Sequence, residues 1–421
     1  MFDVVAYRAR VADKIVPSYL AAFGAVVVEG ARATGKTSTA LQHSRSSVRL
    51  DVDPSLVDVA HVSPDLILAG DAPRLVDEWQ LVPSLWNVIR HEVDARQAKG
   101  QFILSGSATP DDDVTRHTGA GRFGRFRMRP MSLQESGVSS GAVSLSELAA
   151  ESGSVAAVSD VSYRDVAVQA VRGGWPGLLS VPDEAAELAN ASYLEDLVKI
   201  ELPVAVDVRH DPVRVRRLIA SMARNLATEM RLSGLAADVN ADGGETRPAT
   251  LRTYLDALER VFVAEPQPAW SVSLRSRSRL RTTEKIHFVD PSLACAALQV
   301  GPDRLARDPE YFGFVFESMV VRDLRVYASR GRGKVFHYRD NTGLEVDAII
   351  EFPGGVWGAV EVKLGEQRLP EAEATLLKLA RERVDTARVG EPAFLAVITT
   401  GKYARTLPSG VHVIPLATLG P

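Results

Sequence analysis

The sequence predicts an α/β protein with a parallel sheet near the N-terminal end, a largely helical middle and a second α/β domain at the C-terminal end. Three observations support this prediction. Residues 24–130 alternate short apolar strands with amphipathic helices, residues 183–235 and 249–263 show mainly helical periodicity, and strand patterns return after residue 311. The predicted domains are residues 1–135, 136–208, 209–300 and 301–421.

The composition is that of a globular protein. The chain has 421 residues, of which 46% are hydrophobic and 24% charged, with a net charge of −4; this excludes collagen, a fully disordered chain and a coiled-coil rod. The single cysteine, Cys295, excludes an internal disulfide framework and a zinc site built from several cysteines of one chain, and it fits a reducing compartment. No apolar run reaches the roughly 18 residues that span a bilayer. We therefore expect a cytoplasmic protein without a membrane partner.

The N-terminal elements follow from the spacing of apolar residues. Ala25–Glu29 is a valine-rich run typical of a buried strand, and Ser84–Lys99 has apolar residues at helical spacing. Strands that alternate with helices favour a parallel sheet covered on both faces. The other predicted strands are Ser47–Asp51, Arg74–Asp77 and Phe102–Leu104, and the other predicted helices are Lys36–His43 and Val57–Ala60.

A glycine-rich loop joins the first strand to the helix that follows it. Residues Gly30–Thr37 (GARATGKT) match the P-loop pattern G-x-x-x-x-G-K-[ST]. Backbone N–H groups of such a loop wrap phosphate oxygens, the lysine reaches the β- and γ-phosphates, and the threonine hydroxyl holds Mg²⁺. We therefore expect ATP and Mg²⁺ as cofactors, with Lys36 on an exposed loop where its replacement leaves the fold intact. The residues predicted to bind the nucleotide are Gly30, Ala31, Arg32, Ala33, Thr34, Gly35, Lys36, Thr37 and Ser38.

Three later segments supply candidates for the rest of a phosphoryl-transfer site. Asp77 ends an apolar strand, where it is predicted to bind Mg²⁺ together with Thr37, and Glu78 follows as the group that polarises water. Ser107 follows the next strand and is a candidate to bind the γ-phosphate or the water, with Ser105 as a near-equal alternative. Arg122 follows a glycine-rich turn and is predicted to stabilise the transferring phosphoryl group, either within the chain or from a neighbouring subunit.

Four segments of the sequence occur in an order that is also found in a known protein family. The segments concerned are Gly30–Thr37, Arg74–Gln80 (RLVDEWQ), Phe102–Thr109 (FILSGSAT) and Gly121–Ser132 (GRFGRFRMRPMS). Their order resembles a large prokaryotic family of AAA+-type ATP-binding proteins and extends over nearly the whole chain. The resemblance implies an AAA+-like sheet and ATP binding at Gly30–Thr37 and Asp77–Glu78. It implies no physiological substrate, because the C-terminal part of that family is known only as a domain of unknown function.

The middle of the chain is basic although the whole chain is acidic. Residues 209–285 carry 14 Lys and Arg against 9 Asp and Glu, a net charge of +5 that leaves −9 for the remainder. Helices, then Thr250–Val263, then a strand pair resemble a winged helix, with Thr250–Arg260 in the place of the recognition helix. Arginines that alternate along a strand point to one side and suit contact with DNA phosphates, but a solvated wing, or one docked on the acidic ATPase domain, explains them equally well. These arginines are Arg275, Arg277, Arg279 and Arg281.

Two C-terminal strand patterns place charged residues opposite each other. If the turn between them centres on Gly354, Asp347 pairs with Glu361 and Glu345 with Lys363. Alternation then puts these four charges on one face and apolar residues on the other. Facing carboxylates repel each other unless a cation lies between them, and oxygen ligands suit Mg²⁺ or Mn²⁺. The strands concerned are Glu345–Phe352 and Val356–Leu364, and the neighbouring predicted elements are Tyr311–Ala328, Lys334–Tyr338, Pro370–Ala380 and Ala393–Thr399.

This spacing resembles the core of the PD-(D/E)xK restriction-endonuclease-like fold. The resemblance implies that Asp347 and Glu361 bind a metal ion, that Lys363 is a catalytic base or a stabilising charge, and that Glu317 on the preceding helix assists as an accessory acid. One position departs from the motif, because Val346 stands where the motif has proline.

Two functions are open on this basis. One is a Mg²⁺-dependent ATPase coupled to a nuclease-like domain that acts on DNA. The alternative is a non-catalytic, nucleotide-dependent switch that binds DNA or a partner protein and whose nuclease-like fold is inactive. An arginine that acts on a neighbour's nucleotide would also make the protein a homo-oligomer.

Overall fold

The computed structural model describes residues 7–108, 119–150, 153–205, 211–229, 231–241, 246–271 and 283–421. The chain forms two compact units. The N-terminal unit consists of Met1–Pro130, Glu201–Val208 and Ala257–Val263, and the C-terminal unit consists of Met131–Ile200, Arg209–Asp256 and Ala264–Pro421. The division into four domains stays a prediction.

A five-stranded parallel sheet organises the N-terminal unit. Its elements in chain order are α1 (Ala12–Ala22), β1 (Ala25–Glu29), α2 (Lys36–Gln42), β2 (Ser46–Arg49), α3 (Pro54–Val62), α4 (Pro64–Leu68), β3 (Arg74–Asp77), α5 (Leu85–Arg96), β4 (Phe102–Gly106) and β5 (Phe123–Arg127). The strands lie in the order β2-β3-β4-β1-β5 and all four pairings are parallel, which confirms the predicted sheet. The strand that leads into the P-loop therefore lies inside the sheet, between β4 and β5.

Parallel pairing brings the carboxyl ends of these strands to one edge of the sheet. The register pairs Asp77 of β3 with Arg49 of β2 and with Ser105 of β4, and it pairs Glu29 of β1 with Gly106 of β4. Since the P-loop starts directly after Glu29, the predicted phosphate site and the predicted acidic residues share this edge.

Aromatic residues form much of the core beside the sheet. Trp86 of α5 stacks on Phe123 of β5 with ring centroids 4.0 Å apart, and it contacts Trp79 at 5.3 Å. All three side chains are buried. Helix α5 ends at Arg96, earlier than predicted, because Gln97 takes a left-handed φ of 49° and its N–H caps the helix.

The middle of the chain is mainly helical, as predicted. Its elements are β6 (Val143–Ser144), α6 (Leu145–Ala150), β7 (Ala157–Val158), α7 (Tyr163–Arg172), α8 (Asp183–Asp196), α9 (Leu202–Ala205), α10 (Pro212–Arg224), α11 (Leu232–Val239), α12 (Pro248–Arg260), β8 (Ala264–Gln267) and β9 (Lys285–Phe288). The predicted recognition-like helix lies within α12, and β8 pairs with β9 in antiparallel fashion. The predicted strand with its four alternating arginines lies outside the described residues.

A mixed sheet organises the C-terminal end. The elements are α13 (Ser292–Ala297), α14 (Pro302–Arg307), α15 (Pro309–Ser329), β10 (Lys334–Arg339), β11 (Glu345–Glu351), β12 (Trp357–Lys363), α16 (Leu369–Lys378), α17 (Thr386–Val389), β13 (Phe394–Thr399), β14 (Tyr403–Thr406), β15 (His412–Pro415) and β16 (Leu419–Gly420). Seven strands lie in the order β10-β11-β12-β13-β15-β14-β7. Strands β10 to β12 are antiparallel, whereas β12, β13 and β15 run parallel. Within the described ranges, no helix combines the length and the apolar character needed to cross a membrane.

The register of β11 on β12 is the predicted one. Ala348 lies opposite Val360, and Glu351 lies opposite Trp357. The turn that sets this register contains Gly354, whose φ of 88° suits glycine. A hairpin turn thus fixes which strand positions face each other.

The predicted separation into a charged and an apolar face is only partly right. Ile349 and Ala359 share the alternation of Asp347 and Glu361, yet they are buried in a core that includes Leu376 of α16. Because helix α16 packs against β11 and β12, only the outer ends of these strands are left for charged groups. The charges therefore form a cluster at one end of the hairpin.

Candidate active site

The P-loop (Gly30–Thr37) is shaped by positive φ angles. Gly30 has a φ of 154°, Ala33 of 61° and Gly35 of 90°. A Cβ atom on Gly30 would lie 2.1 Å from the carbonyl oxygen of Met128, so this position accepts glycine alone. The loop therefore has the strand–loop–helix setting and the tight turn that the motif predicts.

Lys36 is buried and bonds to the loop itself. Lys36 is 6% exposed, and its Nζ donates to the carbonyl oxygen of Ala31 at 2.8 Å. The same oxygen also accepts a hydrogen bond from Thr34 Oγ1 at 2.9 Å. Burial lowers the pKa of Lys36 to about 8, against the opposing effect of nearby carboxylates. The prediction that Lys36 lies on an exposed loop is wrong, because the ammonium group turns inward to a loop carbonyl, where phosphate oxygens would compete for it.

Asp77 accepts two hydrogen bonds and forms one ion pair at the carboxyl edge of the sheet. Thr37 Oγ1 donates to Asp77 Oδ1 at 3.0 Å, and Ser105 Oγ donates to the same oxygen in a short contact. Arg49 Nε lies 3.5 Å from Asp77 Oδ2. The hydroxyl of Thr37 and the carboxylate of Asp77 are two adjacent hard oxygen groups, which fit Mg²⁺ in chemistry. The sequence singled out Thr37, Asp77 and Ser105, but it gave no motif signal for Arg49.

Glu78 is held beside this group by two polar side chains. It adopts a left-handed φ of 54°, and its Oε2 accepts a short hydrogen bond from Gln80 Nε2. Ser107 Oγ donates to the same oxygen at 3.3 Å. Ser105 and Ser107 are therefore not alternatives, because one bonds to Asp77 and the other to Glu78.

Two other residues predicted to bind the nucleotide lie toward solvent. Ser38 is exposed, and Arg32 has a 55% exposed side chain. Arg32 Nε lies 3.5 Å from Glu201 Oε1, a largely buried carboxylate that also interacts with Lys36. The sequence gave no signal for Glu201, because it comes from a helical segment more than 160 residues after the motif.

Arg122 lies at the other edge of the sheet. Its carbonyl oxygen accepts a bond from the N–H of Ala25, where β1 begins, at 3.1 Å. Its guanidinium binds Asp94, with Nε 2.9 Å from Oδ1. The amino and carboxyl ends of parallel strands lie at opposite edges, so the structure does not bring Arg122 to the P-loop of its own chain. The position of Arg122 directly before a strand is the sequence signal that indicates this edge.

A second cluster of charged residues lies at the end of the β11–β12 hairpin. Lys363 Nζ is 2.6 Å from Glu361 Oε2 and 3.5 Å from Asp347 Oδ2. Asp347 Oδ2 also accepts the backbone N–H of Val362 at 2.8 Å. The structure thus brings together the three residues that the strand register predicts.

Lys285 of β9 joins this cluster, although no sequence pattern assigned it there. Its Nζ lies 2.8 Å from Glu317 Oε1, 2.8 Å from Glu345 Oε1 and 3.9 Å from Asp347 Oδ1, with a 2% exposed side chain. We refer to these groups as the carboxylate cluster; its members are Lys285, Glu317, Glu345, Asp347, Glu361 and Lys363. Four carboxylates and two ammonium groups make up this cluster.

Burial and mutual repulsion change the ionisation of the cluster. Burial, followed by the charge of Asp347, raises the pKa of Glu317 and that of Glu361 to about 8. Burial opposes the charged form of Lys285 and Lys363, but the surrounding carboxylates outweigh it and raise the pKa of both. The oxygen donors suit a hard divalent cation in chemistry. In the part of the chain that the structure describes, however, no three His, Cys, Asp or Glu side chains are assembled as metal ligands, and the lysines occupy the carboxylate oxygens.

Basic residues of the middle segment are largely engaged within the fold. Arg216 contacts Glu195 at 2.9 and 2.8 Å, and Arg252 lies 2.8 Å from Asp256. The four predicted DNA-backbone residues, Arg275, Arg277, Arg279 and Arg281, lie outside the described residues. Fewer basic side chains of the described helices are therefore available to bind a phosphate backbone than the local net charge indicates.

Proteins and structures similar to this chain include examples from mycobacteria and archaea. Two uncharacterized proteins, one from Mycobacterium bovis and one from Mycobacterium tuberculosis, are each 26% identical over 344 residues, which cover 79% of this chain and 69% of theirs. A Walker-type ATPase of Pyrococcus abyssi is 14% identical with a TM-score of 0.43 and covers 69% of this chain and 96% of its own. An Orc1 protein of Aeropyrum pernix in complex with DNA is 11% identical with a TM-score of 0.27 and covers 70% of this chain and 93% of its own.

Three family models divide the sequence between them. Residues 163–304 and 312–419 match two different domains of unknown function. Residues 22–137 match a family described as an AAA domain. This last match agrees with the five-stranded parallel sheet and the P-loop that the structure shows in the same residues.

Proposed function

We propose that the protein binds ATP with Mg²⁺ at the P-loop and hydrolyses it. In this proposal the loop amides and Lys36 bind the phosphates, Thr37 and Asp77 hold Mg²⁺, and Glu78 orients and polarises the attacking water. When bound, Mg²⁺ neutralises charge on the phosphate oxygens. Ser107 and Gln80 hold the Glu78 carboxylate in place.

The observation that carries this proposal is the hydrogen bond between Thr37 and Asp77. It joins the P-loop to the end of β3 at 3.0 Å, so the two groups expected to hold the cation already lie together. Lys36 is buried in the same loop, and the Glu78 carboxylate is fixed by two partners. The proximity of these groups at one edge of the sheet supports the proposal.

Replacement of Lys36 tests the nucleotide site. Lys36→Met keeps the aliphatic volume of a buried side chain but removes the charge, so ATP affinity should fall by at least about tenfold. Isothermal titration calorimetry with Mg²⁺–ATP measures this, with Lys99→Met as a matched control because Lys99 is exposed on the same unit. Equal ATP affinity in wild type and Lys36→Met would contradict the proposal.

A second candidate function is metal-dependent cleavage of DNA at the carboxylate cluster. The observation that favours it is the strand register that gathers Asp347, Glu361 and Lys363 beside Glu317. A cation at this site would have to take carboxylate oxygens from Lys285 or Lys363, so we derive no catalytic step through it. DNA incubated with Mg²⁺ or Mn²⁺ should be cut by wild type and not by Asp347→Asn.

The alternative to cleavage is a nucleotide-dependent switch that binds DNA or a protein. It predicts binding that changes with ATP and no strand scission with either metal. Cleavage that is equal in wild type and Asp347→Asn would exclude this cluster as its source. Binding that weakens with salt, and less steeply once Arg277 and Arg279 are replaced, would support the switch.

A further inference from the structure

A buried arginine that precedes helix α1, and so lies outside the P-loop motif in sequence, bonds to the P-loop backbone. Arg10 is 5% exposed, and its Nη1 donates to the carbonyl oxygen of Thr34 at 2.8 Å. Its Nη2 donates to the carbonyl oxygen of Arg129 at 2.8 Å. The planar guanidinium can span two acceptors in a fixed geometry. Arg10 therefore ties the P-loop to the segment that follows β5.

The contact with Thr34 has a consequence for the next peptide group. In a trans peptide the C=O and the following N–H point in opposite directions. Anchoring the carbonyl of Thr34 on one side therefore directs the N–H of Gly35 to the other side. Backbone amides are the phosphate donors of a P-loop, so Arg10 acts on the direction of one such donor.

The loop needs such an anchor because its backbone is permissive at this point. Gly35 follows Thr34 with a φ of 90°, and glycine populates both signs of φ at little cost. Ala33 before it already takes a positive φ of 61°. A charge-assisted hydrogen bond to the intervening carbonyl selects one orientation of this peptide.

The residues around Arg10 are themselves fixed to helix α2. The Arg10 backbone N–H donates to Asp13 Oδ2 at 2.7 Å, and Tyr7 Oη donates to Asp13 Oδ1 at 2.8 Å. Tyr7 Oη lies 3.1 Å from Thr39 Oγ1, and His43 Nε2 lies 3.0 Å from Asp13 Oδ1. Arg10 therefore approaches the P-loop from a segment that is held on the helix following the loop.

We propose that Arg10 is a positioning residue that orients the Thr34–Gly35 peptide for phosphate binding. The inference rests on the ATP site proposed above and adds a residue outside the motif to it. Arg10 touches neither nucleotide nor metal in this account; it acts through the loop backbone.

Arg10→Lys tests this inference, because lysine keeps the positive charge but has one ammonium nitrogen in place of the two guanidinium nitrogens that bind the two carbonyls. Affinity for Mg²⁺–ATP should fall by about tenfold or more, with KM raised and kcat at saturation close to wild type. Calorimetry and steady-state kinetics measure the two effects. Arg8→Lys is the matched control, since Arg8 is exposed two residues earlier, and it should bind ATP as wild type does.

The outcomes separate positioning from a merely structural role. A structural role would lower the melting temperature of Arg10→Lys but leave the ATP affinity of the folded protein unchanged, and that result would overturn the inference. If Arg10→Lys does not fold, Tyr7→Phe loosens the same segment with Arg10 intact and should raise KM more weakly; an unchanged KM would overturn the inference. A wild-type protein that binds no ATP would overturn the proposed function and this inference together.

Discussion

At the residue scale, two serines at the end of one strand have different partners. Ser105 donates to Asp77, whereas Ser107 donates to Glu78. Asp77 is expected to act on the cation and Glu78 on the attacking water. Each serine therefore supports a different part of the proposed reaction, although the sequence shows only a strand that ends in small hydroxyl residues.

Removing the two hydroxyls one at a time should distinguish the effect on cation binding from the effect on the attacking water. Ser105→Ala takes one donor from a buried carboxylate, so KM for Mg²⁺–ATP should rise about three- to tenfold. Ser107→Ala loosens Glu78, so kcat should fall by a similar factor with KM little changed. Steady-state kinetics at several Mg²⁺ concentrations distinguish the two. The same change in both variants would contradict the assignment.

At the element scale, the sequence predicts the register of β11 on β12 but not which distant strand packs beside this hairpin. The positions of Asp347 and Glu361 follow from alternation and from a turn at Gly354, all within a short segment. The position of Lys285 in the carboxylate cluster depends on where β9 packs, and no local sequence pattern predicts this packing. Long-range packing likewise brings Arg10 and Glu201 to the P-loop, and no local sequence pattern indicates any of these three residues.

Lys285 should stabilise the C-terminal unit strongly. Lys285→Met leaves Glu317 without its buried counter-charge and leaves Asp347 with Lys363 alone, and removing one partner of a buried ion pair costs about 3–5 kcal/mol of unfolding free energy. Urea denaturation followed by circular dichroism measures the loss. Lys334→Met, at an exposed position of β10, is the control and should change the free energy little. Equal unfolding free energies of the two variants would show that Lys285 makes no net contribution to stability.

His337 of β10 should make the C-terminal unit less stable in acid. Burial, with the nearby charge of Lys285, lowers the pKa of His337 to about 4, below its ordinary value of about 6.5 in an unfolded chain. Between these values the unfolded state binds more protons. The stabilisation is therefore fully present above pH 6.5 and decreases as the pH falls toward 4, by up to about 3 kcal/mol.

The variant His337→Gln isolates this effect, because glutamine can still donate to the carbonyl oxygen of Thr283 that His337 Nε2 contacts at 3.1 Å. Unfolding free energies of both proteins are measured between pH 7.5 and 4.5. The decrease on acidification should be smaller in the variant. Parallel curves would exclude His337 as a source of acid sensitivity.

At the scale of the whole molecule, the sequence predicted the classes of structure better than the positions of single charges. The P-loop, β1 and the parallel sheet follow from a motif in its expected context, and the structure confirms them. A role for Arg122 at the phosphates of its own chain does not fit the structure, because Arg122 directly precedes β5 and the amino edge of a parallel sheet lies opposite the P-loop. Lys36 was expected in solvent, but a buried ammonium is satisfied by the carbonyl oxygen of Ala31.

The remaining role for Arg122 is on a neighbouring subunit, and mixing two variants tests it. Lys36→Met should bind ATP more weakly, and Arg122→Ala should lack the stabilising charge, so each is expected to hydrolyse ATP slowly alone. In a homo-oligomer, an intact P-loop of one variant can meet an intact Arg122 of the other. The mixture should then regain part of the wild-type rate. A rate equal to the average of the two separate proteins would rule out action across subunits.

Single-turnover hydrolysis in the intact chain tests most directly the proposal that ATP is hydrolysed at the P-loop with Glu78 acting on the water. Glu78→Gln should bind Mg²⁺–ATP with near wild-type affinity and hydrolyse it at least about a hundredfold more slowly. Glu92→Gln, on the surface of α5, should react as wild type does. Hydrolysis by Glu78→Gln at the wild-type rate, or no Mg²⁺–ATP binding by wild type, would contradict the account.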